Sequence, residues 1–204
     1  MHREFVLASS NRGKLREIAE MLKPMGFVVR PQSEWQLADA RETGSTFVEN
    51  ALIKARHAAR LTGLPSMADD SGLVVPALNG APGIYSARYA GKNASDQANM
   101  DRLLAELSGK TGVDRQAYFY CAMVVLNSTD DPAPLIATGR WHGRILQSPR
   151  GAGGFGYDPL FGISTLPDSD QVTSAAELIP GEKNRVSHRG KALQELVRQL
   201  QGAG

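Results

Sequence analysis

The chain of 204 residues is 42% apolar and 22% charged, which suffices for a sizeable core and is unlike a disordered chain. Its 23 Lys and Arg against 21 Asp and Glu leave a formal net charge of +2, too small to make nucleic acid the main partner. A single cysteine, Cys121, excludes an intrachain disulfide; no segment approaches membrane-spanning length and no long apolar leader precedes the first strand, so a cytoplasmic address is expected.

Glu4 to Ala8 reads as extended, Lys14 to Leu22 as helical and Phe27 to Arg30 as extended again after Pro24 and Gly26, a βαβ-like opening. Between that strand and helix lies Ser9-Ser10-Asn11-Arg12-Gly13-Lys14. Backbone N–H groups at a helix start, a permissive glycine and a lysine make an anion site. A Walker A loop would need Gly where Ala8 stands and Ser or Thr where Leu15 stands; a capped helix with a surface lysine is the plain alternative. Residues 31 to 45 lack periodicity and read as a loop. A helix from Phe47 to Leu61 follows, with Phe47, Ala51, Ala55, Ala58 and Ala59 on or near one face and Gly63 and Pro65 ending it. Asn50, Lys54 and His57 line up on the opposite face. Such a row is ordinarily solvated, but Lys54 could hold a phosphate oxygen.

The run Met67-Ala68-Asp69-Asp70-Ser71-Gly72-Leu73 places two adjacent carboxylates in apolar sequence. Successive side chains of an extended chain point to opposite faces, so one carboxylate is expected to serve a site and the other the scaffold. Ser71-Gly72 reads as a tight turn that sets the functional carboxylate at a strand's C-terminal edge, with a further strand from Leu73 to Leu78; a solvated, capped turn is the alternative. Glu42 and Glu49 offer further carboxylates for a Mg²⁺ ion, which takes one or two from the protein and fills its remaining positions with water and phosphate.

A helix is expected from Asp96 to Leu107, and strands Arg115 to Leu126 and Leu135 to Leu146 form a long antiparallel hairpin, with Cys121 a buried core thiol. The glycine-rich Gly151 to Pro159 loop then precedes a short strand and a final helix from Val186 to Leu200. Phe155-Gly156-Tyr157-Asp158, Lys183 and Ser187-His188-Arg189 gather an aromatic ring, a carboxylate and several donors, the equipment for reading a planar heterocycle. Separately, Phe155 reads as a core residue, and His188 and Arg189 as a helix-end surface.

Taken together, Ser9 to Lys14, Glu42 to Ala51, Ala68 to Gly72, Gly83-Ile84-Tyr85-Ser86-Ala87-Arg88-Tyr89, Gly154 to Pro159 and Ser187 to Arg189 closely resemble the inosine triphosphate pyrophosphatase family, in order and over nearly the whole chain. The match is similar to its bacterial branch acting on deaminated purine nucleotides. The resemblance implies an α/β fold with a long mixed β-sheet flanked by helices, one domain over residues 1–204 with two lobes enclosing a nucleotide cleft, and a homodimer. It also implies Mg²⁺-dependent hydrolysis of ITP, dITP and XTP to the monophosphate and pyrophosphate. Carried over by position, the general base falls on Asp70, the phosphate segment on Ser9, Ser10, Asn11, Arg12, Gly13 and Lys14, with Lys54 beside the phosphates. Substrate contacts fall on Ser71, Phe155, Gly156, Tyr157, Asp158, Lys183, His188 and Arg189, and the metal ligands on Asp70 and Glu42. Many relatives carry two consecutive acidic residues before Thr-Gly, whereas here Arg41 precedes Glu42.

Base choice is expected to follow donor and acceptor signs. Hypoxanthine and xanthine present O6 as acceptor and N1–H as donor, which donors at His188 and Arg189 and an acceptor at Asp158 would suit, whereas adenine reverses both signs. The rival readings are a nucleotide-binding phosphotransferase using the Ser9 to Lys14 loop, which the missing Walker residues disfavour, and a nucleic-acid module, which the net charge disfavours.

Overall fold

The computed structural model describes residues 4–164 and 172–202 and, of Arg12, the backbone alone. The chain divides into two compact units, one of Met1–Asp70, Cys121–Gly139 and His188–Gly204, the other of Ser71–Tyr120 and Arg140–Ser187. The strands are β1 (Glu4–Leu7), β2 (Val28–Pro31), β3 (Ser66–Val74), β4 (Gln116–Leu126), β5 (Leu135–Ile145), β6 (Phe161–Ser164) and β7 (Val172–Ser174). They form a seven-stranded sheet in the order β2-β1-β3-β4-β5-β6-β7. β1 runs parallel to β2 and β3, whereas β6 runs antiparallel to β5 and β7, so the sheet is mixed as expected. The flanking helices are α1 (Arg12–Leu22), α2 (Phe47–Thr62), α3 (Asp96–Glu106), α4 (Pro180–Val186) and α5 (His188–Gly202). Among the described residues no helix is long and apolar enough to cross a membrane.

In the first unit, strand alternation divides two cores. Phe5, Leu7, Met67, Cys121, Met123 and Val125 pack with Ile18 and Leu22 of α1 and with Ala192, Leu193 and Leu196 of α5. Val6, Ala8, Ala68, Val124 and Leu126 pack with the alanine stripe Ala51, Ala55 and Ala58 of α2. Odd positions of β1 and β3 thus face α1 and α5, and even positions face α2. The pairing of Val6 with Ser66 and Leu7 with Met67 fixes the register. A slip of one residue would drive Met67 into the alanine stripe and reverse every side chain on β3. Cys121 is fully buried, and burial pushes its thiol up to about 12, so it behaves as the core residue expected.

The second unit has its own core, built from Leu73, Val75, Met100, Leu103, Phe119, Trp141, Tyr157, Leu160 and Phe161. Tyr118 meets His142 and Phe119 meets Trp141, at 5.5 and 6.4 Å between ring centroids. One step forward on β4 is one step back on β5, the pairing of the antiparallel hairpin expected from sequence.

Two expectations are corrected. β3 does not turn at Ser71-Gly72: it runs unbroken from Ser66 to Val74, and Pro76–Leu78 is a single 3-10 turn instead of a strand. No bend is needed because each carboxylate finds a cation on its own face of the sheet. The final helix starts two residues later than expected, at His188, because Ser187 adopts an extended backbone after a separate short helix, α4. That break starts α5 against β5, where a Cβ on Gly139 would run into the His188 carbonyl oxygen and lie 2.7 Å from the Ala192 nitrogen. His188 and Arg189 are consequently buried, at 6% and 2% exposure, and do not form a helix-end surface.

Candidate active site

Asp69 faces α1 and α5. Its Oδ2 lies 3.0 Å from Lys14 Nζ and 3.5 Å from Arg189 Nη2, and Arg189 also pairs with Glu17 of α1. Burial alone would raise the Asp69 pKa, but the charges of Lys14, Arg189 and Lys54 outweigh it and hold the carboxyl well below the usual range. It is a permanent anion that orients two cations.

Asp70 faces α2. Its Oδ1 accepts a hydrogen bond from Lys54 Nζ at 3.1 Å and its Oδ2 one from Asn50 Nδ2 at 3.3 Å. Lys54 also donates to Glu42 Oε1 at 3.0 Å, so one ammonium bridges two carboxylates. Burial pushes the Asp70 pKa up; Lys54 and Lys14 pull the other way without cancelling it, and Glu42 adds to the rise. Burial would lower the Lys54 pKa, but Asp70, Asp69 and Glu42 together raise it, so the ammonium stays charged. Neighbouring carboxylates with pKa values driven in opposite directions are the mark of divided acid–base roles. Of the pair, Asp70 is the one whose proton affinity is raised.

Glu42 and Asp70 both accept from the one Lys54 ammonium, so their carboxylates converge on a single point. Two converging carboxylates suit a hard divalent cation that keeps water and phosphate as its other ligands. Among the described residues no group of three or more His, Cys, Asp or Glu is disposed to hold a metal, so such an ion would depend on those outside ligands. Arg41 is exposed whereas Glu42 is half-buried against Lys54, so position 42 supplies the inward carboxylate. Glu49 does not join it. Its Oε2 accepts the Ser45 and Thr46 N–H groups at 2.8 and 2.9 Å while Thr46 Oγ1 accepts the Glu49 N–H, closing a capping box on α2.

The segment expected to bind phosphate forms the turn into α1. Asn11 caps the helix by accepting the Lys14 N–H at 3.0 Å, Ser9 Oγ accepts the Asn11 N–H at 3.3 Å, and Ser10 Oγ donates to Asp39 at 2.9 Å. Gly13 lies in the first turn; the Arg12 side chain is outside the described residues. The polar row on α2 separates into different tasks. Asn50 and Lys54 serve Asp70, while His57 Nε2 donates to the Ala38 carbonyl at 2.9 Å and ties down the preceding loop.

The second unit holds the other group. Asp158 Oδ2 accepts the Phe155 N–H at 2.9 Å and the Lys183 ammonium at 2.7 Å, and that ammonium sits 4.8 Å from the Phe155 ring centroid. Asp158 and Lys183 are 3% and 7% exposed. One of the two Asp158 oxygens therefore serves the loop itself. Tyr157 is buried and its hydroxyl donates to the Ser86 carbonyl at 2.9 Å, while the Gly156 N–H is held by Asp96 at 2.7 Å. Ser71 is half-buried on β3 beside Asp70.

Asn50, Glu17 and Asp96 are contributions that motif reading passed over. Asn50 was visible only as a member of a polar row, and Glu17 meets Arg189 from 172 positions away.

Residues 5–199 match the model of the Ham1 family. The dITP/XTP pyrophosphatase of Vibrio cholerae is 50% identical over 199 residues, covering 98% of this chain and 97% of that one. Among solved structures, a HAM1 protein from Coxiella burnetii aligns with a TM-score of 0.87 at 50% identity, over 98% of this chain and all of that one. The Ham1 protein of Staphylococcus aureus aligns with a TM-score of 0.85 at 40% identity over the same shares. The sequence resemblance, the mixed sheet and these likenesses agree, and the chain belongs to the Ham1 family.

Proposed function

We propose that the protein hydrolyses deaminated purine nucleoside triphosphates, dITP, ITP and XTP, to the monophosphate and pyrophosphate, with Mg²⁺ as the metal. The observation that carries the reading is Asp70, a buried carboxylate of raised proton affinity that shares Lys54 with Glu42. The dITP/XTP pyrophosphatase activity of the Vibrio cholerae relative supports the substrate class. The family resemblance supports a cytoplasmic homodimer organised as one two-lobed domain.

In this mechanism Asp70 accepts a proton from a water whose oxygen attacks the α-phosphorus. The bond to the bridging oxygen breaks and pyrophosphate leaves, so no covalent intermediate is formed. Lys54 remains protonated and offsets negative charge gathering on the phosphate oxygens. Lys14, steadied by Asp69, supplies a second cation beside the Ser9 to Gly13 turn. Glu42 and Asp70 would hold Mg²⁺, which supplies Lewis-acid polarisation of the phosphoryl oxygens when bound.

Base recognition is assigned to Phe155, Gly156, Tyr157, Asp158 and Lys183, with Ser71, His188 and Arg189 carried over from the family pattern. Asp158 fixes Phe155 and Lys183 through one oxygen, and the donors toward O6 are taken as His188 and Arg189 with Asp158 as the acceptor. Because Arg189 is also a buried counter-ion of Asp69, Arg189→Ala is expected to lower the melting temperature and to narrow the preference for ITP over ATP. An unchanged ratio of kcat/KM values in the folded variant would leave Arg189 as a counter-ion alone.

The reading is tested by a panel of dITP, ITP, XTP, dATP, dGTP and their ribonucleotides with Mg²⁺ and pyrophosphate detection. Pyrophosphate released chiefly from the inosine and xanthosine nucleotides is expected. Transfer of phosphate to an acceptor, or equal turnover of adenine nucleotides, would overturn it.

A further inference from the structure

Asn50 is fully buried, at 0% exposure, and its amide makes two hydrogen bonds that do not belong to the helix it stands on. Its Oδ1 accepts the Gly44 N–H at 2.9 Å, and its Nδ2 donates to Asp70 Oδ2 at 3.3 Å. The orientation of the amide is determined by chemistry, because a backbone N–H only donates and so must face the oxygen. Only the NH₂ group is then left for Asp70. Reversal would set the amide oxygen against a carboxylate and the NH₂ against an N–H, two repulsive contacts in a buried place.

Gly44 lies two residues beyond Glu42. A Cβ there would stand 2.6 Å from Glu49 Cβ and 2.8 Å from Asn50 Oδ1. The loop therefore lies against the start of α2 as closely as a bare backbone permits, and the capping box of Thr46 and Glu49 fixes its other end. Asn50 joins the strand that carries Asp70 to the loop that carries Glu42.

We infer that Asn50 is a positioning residue that sets the separation of Glu42 and Asp70, and so determines the affinity for the divalent cation those carboxylates would share. The inference rests on the proposed assignment of Glu42 and Asp70 as metal ligands. Lys54 touches both carboxylates but through a flexible four-carbon stem, which gives attraction without a fixed distance. A planar amide bonded at both ends supplies the distance. Residues that orient metal ligands characteristically change metal affinity or activity by ~10–100-fold when removed.

The test uses the whole protein with Asn50→Ala and, separately, Gly44→Ala, which leaves every polar side chain in place and displaces the loop by crowding Asn50. Mg²⁺ binding is measured calorimetrically without nucleotide, alongside kcat and KM for ITP at saturating Mg²⁺ and melting in EDTA. Both variants are expected to bind Mg²⁺ roughly ten to a hundredfold more weakly. Both should also lower kcat at saturating Mg²⁺, because Asp70 released from Asn50 is displaced as the proposed base as well as a ligand, while KM for the nucleotide changes by less than about threefold. Gly44→Ala keeps the Asn50 amide within the core, so it decides the matter if Asn50→Ala fails to fold. Folded variants with unchanged Mg²⁺ affinity and kcat would reduce Asn50 to a packing residue and overturn the inference. If instead the wild-type protein neither binds Mg²⁺ nor releases pyrophosphate, the proposed function itself has failed; an inactive Asp70→Asn beside an undisturbed Asn50→Ala would sink the inference alone.

Discussion

Asp70→Asn is expected to yield a folded protein that binds ITP near the wild-type affinity and turns it over ~10²–10⁴-fold more slowly, the range associated with loss of a positioned general base. Asparagine keeps the size and planarity of the side chain, and its carbonyl can still accept from Lys54 or from Asn50. It cannot take a proton from water. Its NH₂ group then meets the other donor, a cost set against relief of a buried charge whose pKa burial has raised, so the metal-free protein is expected to melt close to wild type. For a carboxyl with a raised folded-state pKa, the ionised form costs stability once pH rises above that value, and the amide removes the cost. Burst-free pyrophosphate release, ITP calorimetry and melting in EDTA on one preparation check all three statements. Turnover within tenfold of wild type would remove Asp70 from the chemistry, whereas a large fall in melting temperature would make the lost activity a folding effect.

The clarity of that experiment depends on a division of labour only half visible in the chain. Alternation within an extended segment is local, so the separation of Asp69 and Asp70 to opposite faces followed from sequence without any partner being known. Which face holds the permanent anion did not follow. It depends on Lys14, Glu17 and Arg189, drawn from the two ends of the chain, and on Lys54 and Glu42 from its middle. The expected turn at Ser71-Gly72 failed for the same reason. Small residues permit a bend, but two buried faces, each offering a cation, make the straight strand the better solution.

Local signals were sound where one element sufficed. The alanine stripe of α2, the βαβ opening and the β4–β5 hairpin all follow from periodicity and stop signals. The assignment of Glu49 as a possible metal carboxylate missed a signal that was present, since Thr46-x-x-Glu49 is the spacing of a capping box. At His188 and Arg189 no local signal exists. Their burial comes from a glycine on β5, about fifty positions earlier in the chain, that lets the start of α5 approach the sheet.

Asp69→Asn should have the opposite consequences to its neighbour. Asp69 is 1% exposed and is the buried counter-ion of Lys14 and Arg189. Removing its charge leaves Arg189 with Glu17 and Lys14 without its partner, and breaking a buried pair in this way costs about 3–5 kcal/mol. In a domain of this size that corresponds to a fall in melting temperature of roughly 6–20 °C. The pH dependence gives an independent check. The folded-state pKa of Asp69 lies below the unfolded value of about 3.9, so the unfolded chain binds the proton more readily. Its stabilisation is therefore fully present above about pH 5 and is lost as pH falls through the folded-state value. Wild type and Asp69→Asn should differ most at neutral pH and converge as the solution is acidified below about pH 4. A variant that melts like wild type at pH 7, or a gap that widens on acidification, would show that Asp69 is not the anion around which Lys14 and Arg189 are arranged. The same Asp-to-Asn change one residue later should spare stability and abolish turnover, so the two substitutions together separate what holds this site from what works in it.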